Sequence, residues 1–457
     1  MNENNPQSPE NKLTRRDFIR TTSTAAIGGS LIAATNAFAQ QGQGASDLIK
    51  RSKPADDTLK IALIGCGGRG SGAANQALST EGKVKLVAIA DAFENNMRSS
   101  LANLKKQHPD KVDVAPENEL FGFDAYKNAI AMADVVILAT PPGFRPIHFE
   151  EAVKQGKHVF MEKPVAVDAP GVRRVLAAAE ESKKKNLKVG VGLQRHHQLG
   201  YIETVKRLHE GAIGDIVAAR CYWNGGGVWV RTRAEEEQKA KRKLTEMEYQ
   251  MRNWYYFNWL CGDHINEQHI HNLDVINWVK QAFPVRCHGM GGRQVRTGID
   301  HGEIFDHHAV EYEYADGTRM FSQCQHAPGV WSSVSEHVVG TKGTCDVNKY
   351  VIRGTNAWKF DKEEGKRDAY QQEHDTLFDA IRNDKPFNEA VNGAMSTMTA
   401  IMGRMATYSG KLVEWDEALN SKIDLMPKVF AWDANPPTMP DKEGRYPIAI
   451  PGQTIAV

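Results

Sequence analysis

The chain has 457 residues, with 57 basic against 56 acidic side chains and a formal net charge of +1. That balance excludes binding to nucleic acid or an anionic membrane surface through bulk charge. The six cysteines (66, 221, 261, 287, 324 and 345) lie scattered without a CxxC pair, which argues against a disulfide framework.

Read from its start, the chain opens on an address. Thr14-Arg15-Arg16-Asp17-Phe18-Ile19-Arg20 is a twin-arginine pattern. A weakly apolar stretch over 21–38 follows, and Ala37-Phe38-Ala39 fits a cleavage site. The expectation is a signal peptide over 1–39, cleaved near Ala39, export through the twin-arginine machinery, and a periplasmic protein free of the membrane after processing. Residues 40–57 are Gln-, Gly- and Ser-rich, then charged, and read as a linker.

Residues 59–64 form an aliphatic run expected of a buried parallel strand. It breaks into Gly65-x-Gly67-x-x-Gly70, with a helix able to start soon after. Gly65 suits the tight turn, Gly67 lets backbone approach a pyrophosphate, and Gly70 lets helix and strand pack closely. Gly68 and Arg69 complete the loop at a helix start, where free N–H groups favour an anion. A second strand over 84–90 ends at Asp91, whose carboxylate can accept ribose hydroxyls and repel a 2′-phosphate. The expected cofactor is therefore NAD, with NADP possible because Arg69 and Arg98 are near. A third strand over 134–140 leads to Pro141-Pro142.

Strands alternate with helices up to residue 193, the α/β signature. Beyond it, strands over 216–223, 309–314, 319–325 and 336–340 are joined by short turns, which predicts a second domain with a mostly antiparallel sheet. The domain limits expected are 58–193, a Rossmann domain, then 194–425, a substrate-binding α/β domain, and a tail over 426–457. The charged stretch 231–248 reads as an exposed helical excursion.

Thr140-Pro141-Pro142, His148, Gly156-Lys157-His158-Val159 and Glu162-Lys163-Pro164 together resemble the Gfo/Idh/MocA oxidoreductase family, as do Val191-Gly192-Leu193-Gln194-Arg195 and residues 374–411. The resemblance implies a sugar or polyol substrate, an open sheet and a homo-oligomer. It implies that Thr140, Pro141, His148, Glu162 and Lys163 line the cofactor, and that Lys163 reaches the reacting centre. It places the catalytic-type histidine at His271, with Glu267 where the family more often has Asp. On one continuous helix, residues 263, 267, 271 and 274 would share a face, setting carboxylates around an imidazole. Arg195, His196, Asp263, His264, Trp254 and Tyr255 are the candidate substrate contacts. His264, Glu267 and His271 are near register for a metal, with Asp306, His307 and His308 in reach, but no metal is expected beside a nicotinamide.

Three functions fit. The first is hydride transfer between NAD and a carbohydrate hydroxyl. The second is redox-neutral cleavage of a glycoside at the same site. The third is sugar binding without catalysis. Export of an already folded protein adds an expectation: the cofactor should be held tightly and restored within each cycle.

Overall fold

The computed structural model describes residues 58–361 and 367–457. The expected signal peptide and the linker up to residue 57 lie outside the described residues. No helix among the described residues is long and apolar enough to cross a membrane.

The first sheet contains β1 (Leu59–Ile64), β2 (Val84–Asp91), β3 (Glu119–Phe121), β4 (Val135–Leu138), β5 (His158–Met161) and β6 (Val189–Val191). Their order is β3-β2-β1-β4-β5-β6, and every pairing is parallel. All four residues of β4 and the last four of β1 are buried, as central strands covered on both faces must be. The order reverses between β1 and β4, so a crevice opens at their carboxyl ends. Helix α1 (Gly68–Leu78) begins at that crevice, and helices α2 (Arg145–Lys154) and α3 (Ala169–Lys184) follow β4 and β5. This is the doubly wound dinucleotide fold expected from the glycine pattern.

The second sheet contains β7 (Ile216–Gly225), β8 (Arg286–Gly292), β9 (His307–Glu313), β10 (Arg319–His326), β11 (Ser333–Gly340), β12 (Gly343–Asp346), β13 (Val351–Gly354), β14 (Trp358–Lys359) and β15 (Val413–Glu414). It is ordered β14-β13-β12-β11-β7-β10-β9-β8-β15. Only β7 and β10 run parallel; the other pairings are antiparallel. The four expected strands are all present. β8 and the shorter β12 to β15 are additions, β8 being hidden by its sequence Arg286-Cys-His-Gly-Met-Gly-Gly292. Its glycines are explained by close approach: a Cβ on Gly289 would stand 2.7 Å from the Ala309 carbonyl and 3.1 Å from Thr407 Cγ2.

Helix α4 (Ile270–Lys280), helix α5 (Ala369–Arg382) and helix α6 (Ala390–Ser409) complete the frame. All 20 residues of α6 are buried, because its Ala, Gly, Ser, Thr and Met side chains let it pass between the second sheet and α3. Chain order would assign α5 to the second unit, yet Leu377 and Phe378 join the core with Ile61 and Leu63 of the first sheet and Ala73 of α1. The two sheets are thereby tied by a helix that returns.

The stretch 231–248 is not a single exposed helix. It forms helices over Arg233–Ala240 and Glu246–Arg252, and the second buries Met247, Tyr249, Gln250 and Met251. Ion pairs explain how so charged a segment can pack: Arg252 bridges the buried Glu236 and Glu248.

Candidate active site

The glycine loop leaves β1 at Gly65, with φ at +93°. A Cβ there would collide with Ala139 and Thr140 backbone at 2.5 Å, so only glycine makes this turn. A Cβ on Gly67 or Gly68 would meet nothing within 4 Å. That open space lies at the start of α1, in the crevice between β1 and β4. The Asp91 carboxylate closes its far side, accepting from the Cys66 backbone N–H at 2.7 Å and the Phe93 N–H at 2.8 Å. Open backbone N–H groups at a helix start and a carboxylate at the end of β2 fit a dinucleotide.

Arg69 is committed elsewhere. Its guanidinium pairs with Glu162, reaches Glu373 of α5 at 3.2 Å and lies over the Tyr370 ring. It ties the glycine loop to both the Glu162-Lys163-Pro164 turn and α5. Arg98 pairs with Glu94 at 2.7 Å. His148 is buried behind Thr140, with Nδ1 3.3 Å from its hydroxyl and its ring against Tyr126 and Phe144. Burial and then Arg145 pull its pKa down to about 3, so it is neutral. Pro141 and Thr140 remain partly exposed at the crevice.

Lys163 extends from the first unit to the second. Its Nζ donates to the Glu267 backbone carbonyl at 2.6 Å and lies 3.3 Å from the Glu267 carboxylate. His271 lies on α4 nearby, its ring stacked on Trp223 at 6.0 Å between centroids. Burial lowers the His271 pKa well below the ordinary value, and the positive charges of Lys163, Arg195 and His196 lower it further. The imidazole is therefore unprotonated at neutral pH, and its buried Nδ1 has no hydrogen-bond partner. Tyr255 is buried beside Glu267, which together with burial pushes the phenol well above its usual range. Trp254 packs on Tyr255 and on Trp229, which is exposed.

The continuous helical face expected over 263–274 is absent. A short helix spans His264–Glu267 and α4 starts anew at Ile270. The His269 N–H donates to the His264 carbonyl, one residue wider than an α-helical bond. That extra residue rotates the two halves out of register. Glu267 and His271 stay with Lys163, whereas Asp263 turns to Tyr408 (2.6 Å) and to the Phe305 N–H (3.0 Å). Asp274 does not orient His271: it pairs with His196 Nε2 at 2.7 Å and accepts from Ser396 and Asn392. Burial lowers the His196 pKa, but Asp274 more than offsets it and the net shift is upward. Arg195 is likewise spent inside the protein, on Glu336, which also accepts from Tyr201 and Asn272. His264 is buried at the foot of the same segment, against His326 and His308.

Comparison with known proteins agrees with this geometry. Residues 59–191 match the model of an oxidoreductase family with an NAD-binding Rossmann fold, GFO_IDH_MocA. Inositol 2-dehydrogenase of Ralstonia nicotianae is 28% identical over 297 residues, covering 63% of this chain and 73% of that protein. The structure of aldose-aldose oxidoreductase from Caulobacter crescentus, complexed with glycerol, superposes with a TM-score of 0.61 at 17% identity, over 78% of this chain and all of that one. A glycosyl hydrolase family 109 protein of Shewanella baltica is 27% identical over 179 residues, 38% of each chain. Residues 59–191 form a domain of the Gfo/Idh/MocA oxidoreductase family. It is an enzyme with an NAD-binding domain.

Two positioning groups escaped sequence reasoning. Arg145 is fully buried and donates to the carbonyls of Leu138 and Thr140, both at 2.7 Å, which pins the end of β4 at the crevice. Its place beside Pro141-Pro142 was the only available signal. Glu373 gave none, since it lies more than three hundred residues from Arg69 in the chain.

Proposed function

We propose that this protein is an exported, NAD-retaining dehydrogenase that oxidises a secondary hydroxyl of a cyclic polyol or sugar. The observation that carries the reading is the meeting of Lys163, Glu267 and a neutral, unpartnered His271 at the junction of the two units. A neutral imidazole can accept a hydroxyl proton, and an ammonium can polarise the same oxygen. Glu267 holds Lys163 at two atoms and so fixes where that ammonium points. NAD supplies the hydride acceptor when bound, cradled by Gly65, Gly67, Gly68, Gly70 and Asp91. With Arg69 on Glu162, and Arg98 of the helix after β2 on Glu94, both nearby arginines are already paired, which supports NAD over NADP. Trp254, Tyr255 and the exposed Trp229 offer faces for a sugar ring.

The substrate class is supported by the relationship to inositol 2-dehydrogenase. The partial match to a glycosyl hydrolase family 109 protein supports a second reading, in which the cofactor is reduced and re-oxidised within one glycoside-cleaving cycle. The twin-arginine leader supports a periplasmic address, with the cofactor carried out inside the folded protein. The test is to incubate the mature protein with cyclic polyols, free sugars and aryl glycosides while recording nicotinamide absorbance and aglycone release. Net reduction by a polyol or sugar supports the dehydrogenase. Aglycone release without net reduction supports the second reading. Inertness towards all three classes, with NAD bound, overturns both.

A further inference from the structure

Behind the Lys163–Glu267 contact lies a cluster that hydride transfer does not use. Asp263, His264 and His308 are 0%, 1% and 2% exposed, and one potential ligand atom of each lies within 4.8 Å of the others. Asp263 Oδ1 stands 3.2 Å from His308 Nε2 and 3.8 Å from His264 Nε2. Neither Nε2 makes an aligned hydrogen bond: His308 Nε2 meets the carboxylate only as an off-line ion pair, and His264 Nε2 has no partner. A buried imidazole nitrogen left unpartnered beside a carboxylate is a costly arrangement for a ring that merely packs.

The same distances suit a cation. Ligand bonds of about 2.0–2.2 Å in a tetrahedral zinc site place ligand atoms roughly 3.3–3.6 Å apart, a range that the two observed separations straddle. The surrounding contacts are those that hold metal ligands in place. His308 Nδ1 pairs with Thr407 Oγ1 at 2.9 Å, which orients the ring and leaves Nε2 facing the carboxylate. Asp263 Oδ2 is occupied by Tyr408 and the Phe305 N–H, while Oδ1, which accepts from the His264 backbone N–H at 2.5 Å, faces the imidazoles with its remaining lone pair. His326 stacks on His264 at 4.2 Å and fixes that ring from behind. Strands β9 and β10, the 263–268 segment and α6 all contribute, so the cluster joins four elements.

We propose that Asp263, His264 and His308 bind one divalent transition metal of the zinc type. Two imidazoles and a single carboxylate oxygen favour zinc or cobalt over magnesium or calcium. The site is a positioning device. Asp263 has φ +72° and ψ 162°, a region that side chains other than glycine rarely occupy, and it opens the helix that ends at Glu267. A cation on Asp263 would hold that conformation, and with it the carbonyl and carboxylate that meet Lys163.

The test uses the full-length mature protein, freed of metal by chelation, loaded separately with Zn2+ and with Co2+, and desalted. Metal content by mass spectrometry should approach about one equivalent, and the Co2+ form should show the intense visible bands of a tetrahedral site. His308→Gln and Asp263→Asn should lower affinity by about tenfold or more, and Thr407→Val by a smaller factor. His326→Gln, which removes a ring stacked on His264 and its bond to Gln268 but no ligand, should lower affinity far less than either ligand variant. Circular dichroism of each variant separates lost ligation from lost folding, and the Co2+ spectrum of the unaltered protein needs no variant. A parent protein that retains neither metal, or a folded His308→Gln that loads equally well, overturns the proposal.

Discussion

Lys163 Nζ donates to the backbone carbonyl of Glu267 at 2.6 Å, across a separation of 104 residues. The contact joins the turn after β5 to the segment before α4, so the proposed acid–base groups come together only when both units are folded. Lys163→Ala or His271→Ala should lower turnover by about a hundredfold or more, the scale of a positioned acid or base. NAD binding should change little, because the glycine loop is untouched. The double variant should fall well short of the product of the two losses, since groups acting on one hydroxyl are non-additive. Steady-state kinetics on the cofactor-loaded enzyme checks this, and near-parental turnover in His271→Ala would identify another base.

Asp91 should decide cofactor choice. Asp91→Ala removes both the ribose acceptor and the repulsion of a 2′-phosphate, and it frees the Cys66 and Phe93 N–H groups. NAD affinity should drop and its advantage over NADP should shrink, each by about tenfold, or roughly 1.4 kcal/mol. Calorimetric titration of apoprotein with both nucleotides measures it. Stoichiometric NADP in the native protein would contradict it.

Arg69 links the loop to Glu162 and to Glu373 on α5. Arg69→Ala should loosen that clasp and release NAD roughly ten times faster, with most of the change in the off-rate. Stopped-flow displacement of bound cofactor reads the rate. An unchanged rate would show that α5 plays no part in cofactor retention.

His148 gives a pH signature of stability. Burial and Arg145 hold its folded pKa at about 3, whereas the unfolded chain titrates near about 6.5. Between these values the unfolded state binds the extra proton, so the contribution is complete above about pH 6.5 and is lost as pH falls towards 3. From pH 7 to pH 5 the loss amounts to about 2 kcal/mol. Urea unfolding of the parent and of His148→Gln at both pH values should therefore differ in pH dependence by about that amount, the variant being flatter. Equal slopes would place a proton on His148 in the folded state.

Export is the fifth expectation. Arg15→Lys with Arg16→Lys should leave the precursor in the cytoplasm, while the parent should appear in the periplasm starting near Gln40. Fractionation with N-terminal sequencing checks both. Continued export of the double variant would remove the argument for a cofactor acquired before transport.

The dinucleotide fold was legible because its signals are local. Gly65 needs a positive φ, β1 and β4 need unbroken apolar runs, and Asp91 needs only to end a strand, so each requirement is met by neighbours in the chain. The Glu162-Lys163-Pro164 turn and His271 were legible through resemblance alone, since nothing local says what they face. β8 was hidden because the close approach of α6 forces glycine into a strand. The partners of Arg195, His196 and Asp263 were hidden for a related reason. Their side chains match the pattern of sugar-binding groups, and only the packing of β11, α4 and α6 turned them inward to Glu336, Asp274 and Tyr408. A single widened turn between His264 and His269 decided which residues of the 263–274 segment reach Lys163, because one extra residue rotates a helical face by roughly 100°. Sequence thus determined the chemical groups and the nucleotide cradle. Tertiary structure decided their company, since burial and pairing depend on segments that meet only after the chain has folded.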